Sequence, residues 1–361
     1  MILQILFVGL LIQIYNSGAE NSPIESFDPR FGYEGRWVEG LVTSHGAAAV
    51  ADWPCSSIHF KIEIDCTIQN NNSTSYIELS MFNLRTRMVA EISQGSKVLQ
   101  TRYILGPSYS LSPPGSDILD YPEKVKLDLP NFCNKSKETY SVILRKLSEA
   151  EPFAPGIGNQ VFRPSVIHFY GISDASSNVM LISNPQHKDI QNVHLEFVGA
   201  SDTAGYCVDG IPNTGLIDGF LNGWKYGNCD YGFPGRVTKL LKEDPINKNI
   251  KYFYSVIAIA GIGLVQNANA AQEWIMGPKT MMDFYNRTLM SQSGYLFQNG
   301  TIPTLTIVSL GGNDYNHQNG NVPTQEEFSL GIFTFLTEKV WPRPELIWSK
   351  RVLFICGMGW P

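Results

Sequence analysis

Apolar and polar residues alternate through much of the first half of the chain. In Ser57-Ile58-His59-Phe60-Lys61-Ile62-Glu63-Ile64 every second residue is apolar, the period of a strand with one buried face. Residues 74–81 and 140–144 repeat the pattern, and 88–92, 98–104 and 125–129 form shorter runs of the same kind. Pieces rich in Asn, Ser, Pro and Gly separate them, as at 69–75 and 108–116. Many short strands between turn signals predict an all-β sandwich, and no long amphipathic helix is predicted before about residue 200.

The rhythm changes near residue 193. Apolar runs at 193–198, 255–260, 305–310 and 352–356 read as buried strands. Between them lie helical patterns at 235–242, with Val237, Leu240 and Leu241 on one face, and at 271–290, interrupted near Pro278. A third helix, 325–340, is started by Thr324 with Glu327 completing a capping box. That alternation predicts a parallel sheet with helices on both faces. The boundary is expected in 183–191, giving a β-sandwich domain over 20–187 and an α/β domain over 188–361.

Composition narrows the class. The chain has 361 residues, enough for two domains with their own cores. Its 27 Lys and Arg are scattered and outnumbered by 33 Asp and Glu, which argues against a nucleic-acid partner. Residues 2–14 are largely apolar but shorter than the roughly 20 residues of a membrane span. Ser17-Gly18-Ala19 follows as a cleavage site, so 1–19 reads as a signal peptide and the mature chain is expected to be secreted without a membrane span. Sequons at Asn71, Asn72, Asn134, Asn286 and Asn299 fit a glycosylated surface. Six cysteines fit an oxidising compartment. Their spacing matches no zinc pattern, so neither a metal nor a cofactor is called for. The expected bridges are Cys207–Cys229, which closes the loop after residue 201, and one pair among Cys55, Cys66 and Cys133.

The candidate chemistry sits where the apolar runs end. Val198-Gly199-Ala200-Ser201-Asp202-Thr203-Ala204-Gly205-Tyr206 puts a serine in a small-residue turn at the carboxyl end of a buried strand, where open α/β sheets carry their sites. Far downstream, Leu310-Gly311-Gly312-Asn313-Asp314 follows another strand, and Ala260-Gly261-Ile262-Gly263 follows the one between. Together these resemble the blocks of the GDSL-like (SGNH) hydrolases. The resemblance implies Ser201 as nucleophile, with the Ser201 N–H, the Asn313 amide and a glycine N–H as oxyanion donors. Of the two glycines Gly263 is favoured by its place in Gly-x-Gly. Gly199, Gly311 and Asp314 are expected to support the turns.

A closer resemblance is to carbohydrate esterase family two, in which a jelly-roll sandwich precedes the hydrolase. It rests on Asp52-Trp53-Pro54-Cys55-Ser56-Ser57-Ile58, on 142–149 with its Lys and Glu, and on the three blocks. The implied fold is a jelly-roll sandwich followed by an SGNH-hydrolase-like α/β domain. The implied function is a secreted serine esterase, similar to acetyl xylan esterases, that removes acetyl groups from carbohydrate or polysaccharide. Two departures stand out. Ala200 replaces the family's block-one aspartate. The family's C-terminal Asp-x-x-His, which carries the base, has no counterpart after 352–356, so the α/β domain is expected to lack its last segment. Asp314-Tyr315-Asn316-His317 spells the motif in another place, and His317 would have to fold back over Ser201 to serve. Two other readings stay open: a non-catalytic, sugar-binding relative or fragment, with Tyr206, Tyr315 and Trp360 as stacking aromatics, and a lipid or small-ester esterase.

Overall fold

The computed structural model describes residues 23–68, 74–106, 122–130, 135–150, 165–183, 191–210, 223–268, 278–290, 303–316, 322–340 and 351–356, the last by backbone alone. The strands run in chain order as β1 Ile24–Glu25, β2 Gly32–Glu34, β3 Val38–Thr43, β4 Gly46–Ala51, β5 Ser57–Asp65, β6 Tyr76–Leu84, β7 Arg87–Gln94 and β8 Lys97–Leu105. They continue as β9 Glu123–Asp128, β10 Lys137–Lys146, β11 Val166–Ala175, β12 Val179–Ile182, β13 Gln191–Gly199, β14 Ile250–Ala258, β15 Leu305–Leu310 and β16 Arg351–Cys356. The helices are α1 Ser201–Ala204, α2 Phe233–Glu243, α3 Met281–Phe284 and α4 Gln325–Thr334, the last running on in a wider π-type coil over Phe335–Val340.

Alternation builds the first half. Ile58, Phe60, Ile62 and Ile64 on β5 and Tyr140, Val142 and Leu144 on β10 all turn inward, and the antiparallel register sets Phe60 against Val142. One sheet has the order β3-β4-β11-β6-β9 with β1 beside β11; the other has β12-β5-β10-β7-β8 with β2 beside β5. Their inner faces share one core, to which β6 adds Ile77, Leu79 and Met81 and β11 adds Ile167 and Phe169. Phe31 lies edge-on to Phe60 and Phe169, at 5.4 and 5.2 Å between ring centroids, and so touches both sheets. Each such buried side chain contributes about 1.5–3 kcal/mol.

The second half is a four-stranded parallel sheet, β14-β13-β15-β16. Leu195, Phe197, Tyr254, Val256 and Ile307 face α1 and α2; Val198, Ile257, Val308 and Leu310 face α3 and α4. Helices therefore cover both faces of the sheet. Pro234 occupies the first turn of α2, where its missing N–H costs nothing. The Thr324–Glu327 capping box opens α4 with both reciprocal bonds made.

Several expectations need correction. Leu240 of α2 is exposed, whereas Val237 and Leu241 pack inward with Phe233. Of the helix expected at 271–290 only α3 is helical among the described residues. Strands β3, β4, β11 and β12 were absent from the alternation pattern. The disulfide joins Cys55 to Cys229, with Cα atoms 5.8 Å apart, while Cys207 is a free thiol. The cause is local: the Cys55 N–H donates to Lys146 O and the Cys229 N–H to Leu147 O, so the end of β10 aligns the two cysteines. Cys66 is also disulfide-bonded. The expected boundary lies largely, and residues 1–19 wholly, outside the described residues, as do Asn71, Asn72, Asn134 and Asn299, while Asn286 is half-buried after α3. No helix among the described residues is long and apolar enough to cross a membrane.

Candidate active site

The first strand of the parallel sheet, β13, lies between β14 and β15. Its register pairs Gly199 with Ala258 on one side and Ser309 on the other. The turns after Gly199, Ala258 and Leu310 therefore leave the sheet side by side at its carboxyl edge, at the point where strand order reverses. Ser201, the 259–268 loop and Asn313 stand on those three turns.

Ser201 opens α1 and is half-buried. The preceding Gly199 is a steric requirement, since a Cβ there would lie 1.9 Å from Thr203 Oγ1 and 2.9 Å from Ser309 O. Ala200 provides no side-chain cap; Asp202 instead accepts the Thr203 N–H at 2.8 Å. Thr203 and Ala204 are buried beneath the turn, and the Ser201 carbonyl accepts the Tyr206 N–H at 2.9 Å.

The hydrogen bonds of the 259–268 loop separate its two glycines. Ala260 N–H donates to Glu149 Oε2 at 2.9 Å, and Ile262 N–H to Ile259 O at 3.3 Å. Gly263 N–H donates to Asn267 Oδ1 at 3.1 Å. Leu264, Val265 and Gln266 all donate to the Asp314 carboxylate, at 2.6 to 3.1 Å. Gly261, half-buried and at φ +75°, carries the one N–H of residues 260–266 without a hydrogen-bond partner among the described residues. Gly263 thus lacks the free donor expected of it. Its need for glycine is steric: a Cβ would lie 1.7 Å from Gln266 O.

Asn313 is half-buried and its Nδ2 donates to Ile262 O at 2.8 Å, which uses one of two amide hydrogens. Asp314 is fully buried as the acceptor that closes the 264–266 turn. Gly311 leaves β15 buried, at φ +112°.

The described histidines are engaged elsewhere. His59 bonds Ser57 Oγ at 2.7 Å and pairs with Glu34 at 2.9 Å. His168 packs edge-on against Phe82, His45 lies in the β3–β4 turn, and His194 Nε2 meets Ser255 Oγ at 3.2 Å on the lower part of β13. His187 and His317 lie outside the described residues. Cys55, Cys229 and Asp230 cluster like metal ligands, but the disulfide consumes both thiolates.

Residues before β11 brace the parallel sheet, a role the sequence patterns did not reveal. Arg36 pairs with Glu196 of β13 at 3.2 Å, both side chains being about 1% exposed. Tyr285 Oη donates to the same carboxylate at 2.6 Å, and Thr306 Oγ1 at 3.3 Å. Arg145 grips both oxygens of Asp230, and Tyr254 N–H donates to Glu34. Burial opposes ionisation of Glu34, but the His59 hydrogen bond and the nearby His59, Lys242 and Arg145 charges hold it down to about 2. Asp52 accepts the Met290 N–H at 2.6 Å; burial outweighs that bond and the Lys146 and Arg36 charges, and pushes its carboxyl up to about 7. Such groups are separated widely in sequence, so no local pattern links them.

No protein-family model and no curated protein matches the chain. Among solved structures it is similar to a family two carbohydrate esterase from Clostridium thermocellum in complex with cellohexaose, with TM-score 0.60 and 16% identity over 92% of this chain and 79% of that one. It is similar to a family two carbohydrate esterase from Cellvibrio japonicus, with TM-score 0.56 and 14% identity over 92% and 78%. An acetyl xylan esterase from the rumen bacterium Butyrivibrio proteoclasticus gives TM-score 0.57 and 14% identity over 94% and 81%. At these identities the likeness shows a shared fold, and it fits a two-domain arrangement of antiparallel sandwich and parallel sheet.

Proposed function

We propose that the chain is a serine esterase that removes acetyl groups from carbohydrate. Ser201 is the nucleophile, and the Ser201 N–H, the Gly261 N–H and the second Asn313 amide hydrogen are the oxyanion donors. The observation that carries this reading is the uncommitted Gly261 N–H. Every neighbouring N–H of its loop is tied to the protein, while this one stands at the same sheet edge as Ser201 and Asn313. A donor left unpaired on a half-buried turn fits a site awaiting an anionic oxygen. Gly261 thereby replaces Gly263 in the role the sequence suggested.

In the proposed reaction Ser201 Oγ attacks the acetyl carbonyl carbon and its proton passes to a base. The carbonyl oxygen takes the developing charge among the three donors. Collapse expels the sugar oxygen, which takes the proton from the base and leaves acetyl-Ser201. Water then adds to this acyl group, giving its proton to the base, and acetate leaves as the proton returns to Ser201. His317 is the candidate base of this scheme, on the strength of the Asp314-Tyr315-Asn316-His317 motif. The rest of the reading follows the sequence patterns and the resemblance together: a jelly-roll domain over 20–187, the α/β domain over 188–361, a signal peptide at 1–19, secretion, and glycans at the five sequons.

Acetate release from acetylated xylan is the test, with wild type, Ser201→Ala and His317→Ala compared. Turnover by wild type that falls at least about 10³-fold in Ser201→Ala fits the reading. A wild-type chain that releases no acetate, or full activity in Ser201→Ala, overturns it.

A further inference from the structure

Glu149 enters from the antiparallel half of the molecule, three residues after β10. Its side chain is 5% exposed, and Oε2 accepts the Ala260 N–H at 2.9 Å. The segment that delivers it is pinned at each step. Arg145 holds Asp230, Lys146 O receives Cys55 N–H, and Leu147 O receives Cys229 N–H. The buried Lys146 Nζ donates to Ser148 O at 2.8 Å and to Glu149 O at 2.7 Å. Burial raises the Cys207 thiol against a Tyr206 hydrogen bond that lowers it, and the Glu149 charge adds to the rise. The carboxylate thus bonds the turn that carries Gly261, and its charge acts on Cys207, six residues after Ser201.

Gly261, at φ +75°, has neighbouring conformations open to it that a residue with a side chain would not. Two bonds limit its swing: Ala268 N–H to Gly261 O at 3.0 Å, and Ala260 N–H to Glu149. We infer that Glu149 is a positioning residue, which anchors the Ile259–Ala260 peptide so that the Ala260–Gly261 peptide that follows keeps the Gly261 N–H aimed at the oxyanion. The inference rests on the esterase reading above. It makes the antiparallel half part of the site's geometry, with the chemistry left to the parallel sheet.

The full chain is assayed for p-nitrophenyl acetate turnover as wild type, Glu149→Ala, Glu149→Gln and Ser201→Ala, with thermal unfolding of each. An oxyanion donor displaced by about 1 Å costs on the order of 10²-fold, so Glu149→Ala lowers kcat roughly 10- to 100-fold with little change in KM. Glu149→Gln keeps an acceptor for Ala260 N–H and recovers most of kcat. A folded Glu149→Gln as impaired as Glu149→Ala overturns the acceptor role. If Ser201→Ala is dead while Glu149→Ala keeps wild-type kcat, the role of Glu149 fails and the esterase reading stands. If wild type is inactive or Ser201→Ala keeps its turnover, the reading falls and takes this inference with it.

Discussion

The two halves of the molecule hold themselves together by different means. The antiparallel half buries an apolar core between two sheets, and buried charges such as Arg36, Asp52 and Glu149 lie outside that core, bonded to residues of the other half. The parallel sheet is only four strands wide and has polar groups buried inside it. Glu196 lies in the middle of β13, and its carboxylate is satisfied by Arg36, Tyr285 and Thr306. Trp53 and Ala150 join one of its cores, and Cys55, Val89 and Leu147 the other. The difference shows which half depends on the other: the sandwich core closes on itself, whereas the parallel sheet is completed by residues the sandwich supplies.

The largest effect should come from breaking that dependence at Glu196. Glu196→Ala strands the buried Arg36 charge, and removing one partner of a buried pair costs about 3–5 kcal/mol. Chemical denaturation should show that loss. A change below 1 kcal/mol, within the range of exposed ion pairs, would mean the parallel sheet stands alone.

A smaller, pH-dependent effect belongs to Asp52. Its folded pKa lies above the unfolded value near 3.8, so the folded state holds a proton that the unfolded chain releases. Its stabilising contribution is full below about pH 4, declines as pH rises toward 7, and levels off beyond. Asp52→Asn keeps an acceptor for Met290 N–H and removes the charge. It should match wild type near pH 4 and be more stable above pH 7, by an amount on the order of a few kcal/mol. Identical pH profiles in urea unfolding would place no buried charge at this junction.

What could be read from the sequence follows the same division. β5, β6, β7 and β10 announce themselves because each has one face inward. β4 does not, because Gly-Ala-Ala-Ala-Val-Ala carries little side-chain contrast. β11 is broken by Gly171, at φ +122°, where β1 crosses so closely that a Cβ would meet Ile24 O at 1.8 Å. The three strand ends were legible because the small residues around Ser201, Gly261 and Asn313 interrupt long apolar runs. Which glycine keeps a free N–H was not, since that depends on Asn267, Glu149 and Asp314 folding back on the loop. The Cys55–Cys229 bridge was hidden for a similar reason: 174 residues separate its ends, and β10 aligns them.

The central claim is that Ser201 carries an activated hydroxyl at this sheet edge. Treatment of the full chain with a fluorophosphonate, followed by peptide mapping by mass spectrometry, tests it most directly. The account predicts a single adduct on Ser201, lost in Ser201→Ala and weakened in Glu149→Ala. Labelling at another residue, or no adduct at Ser201, would contradict it.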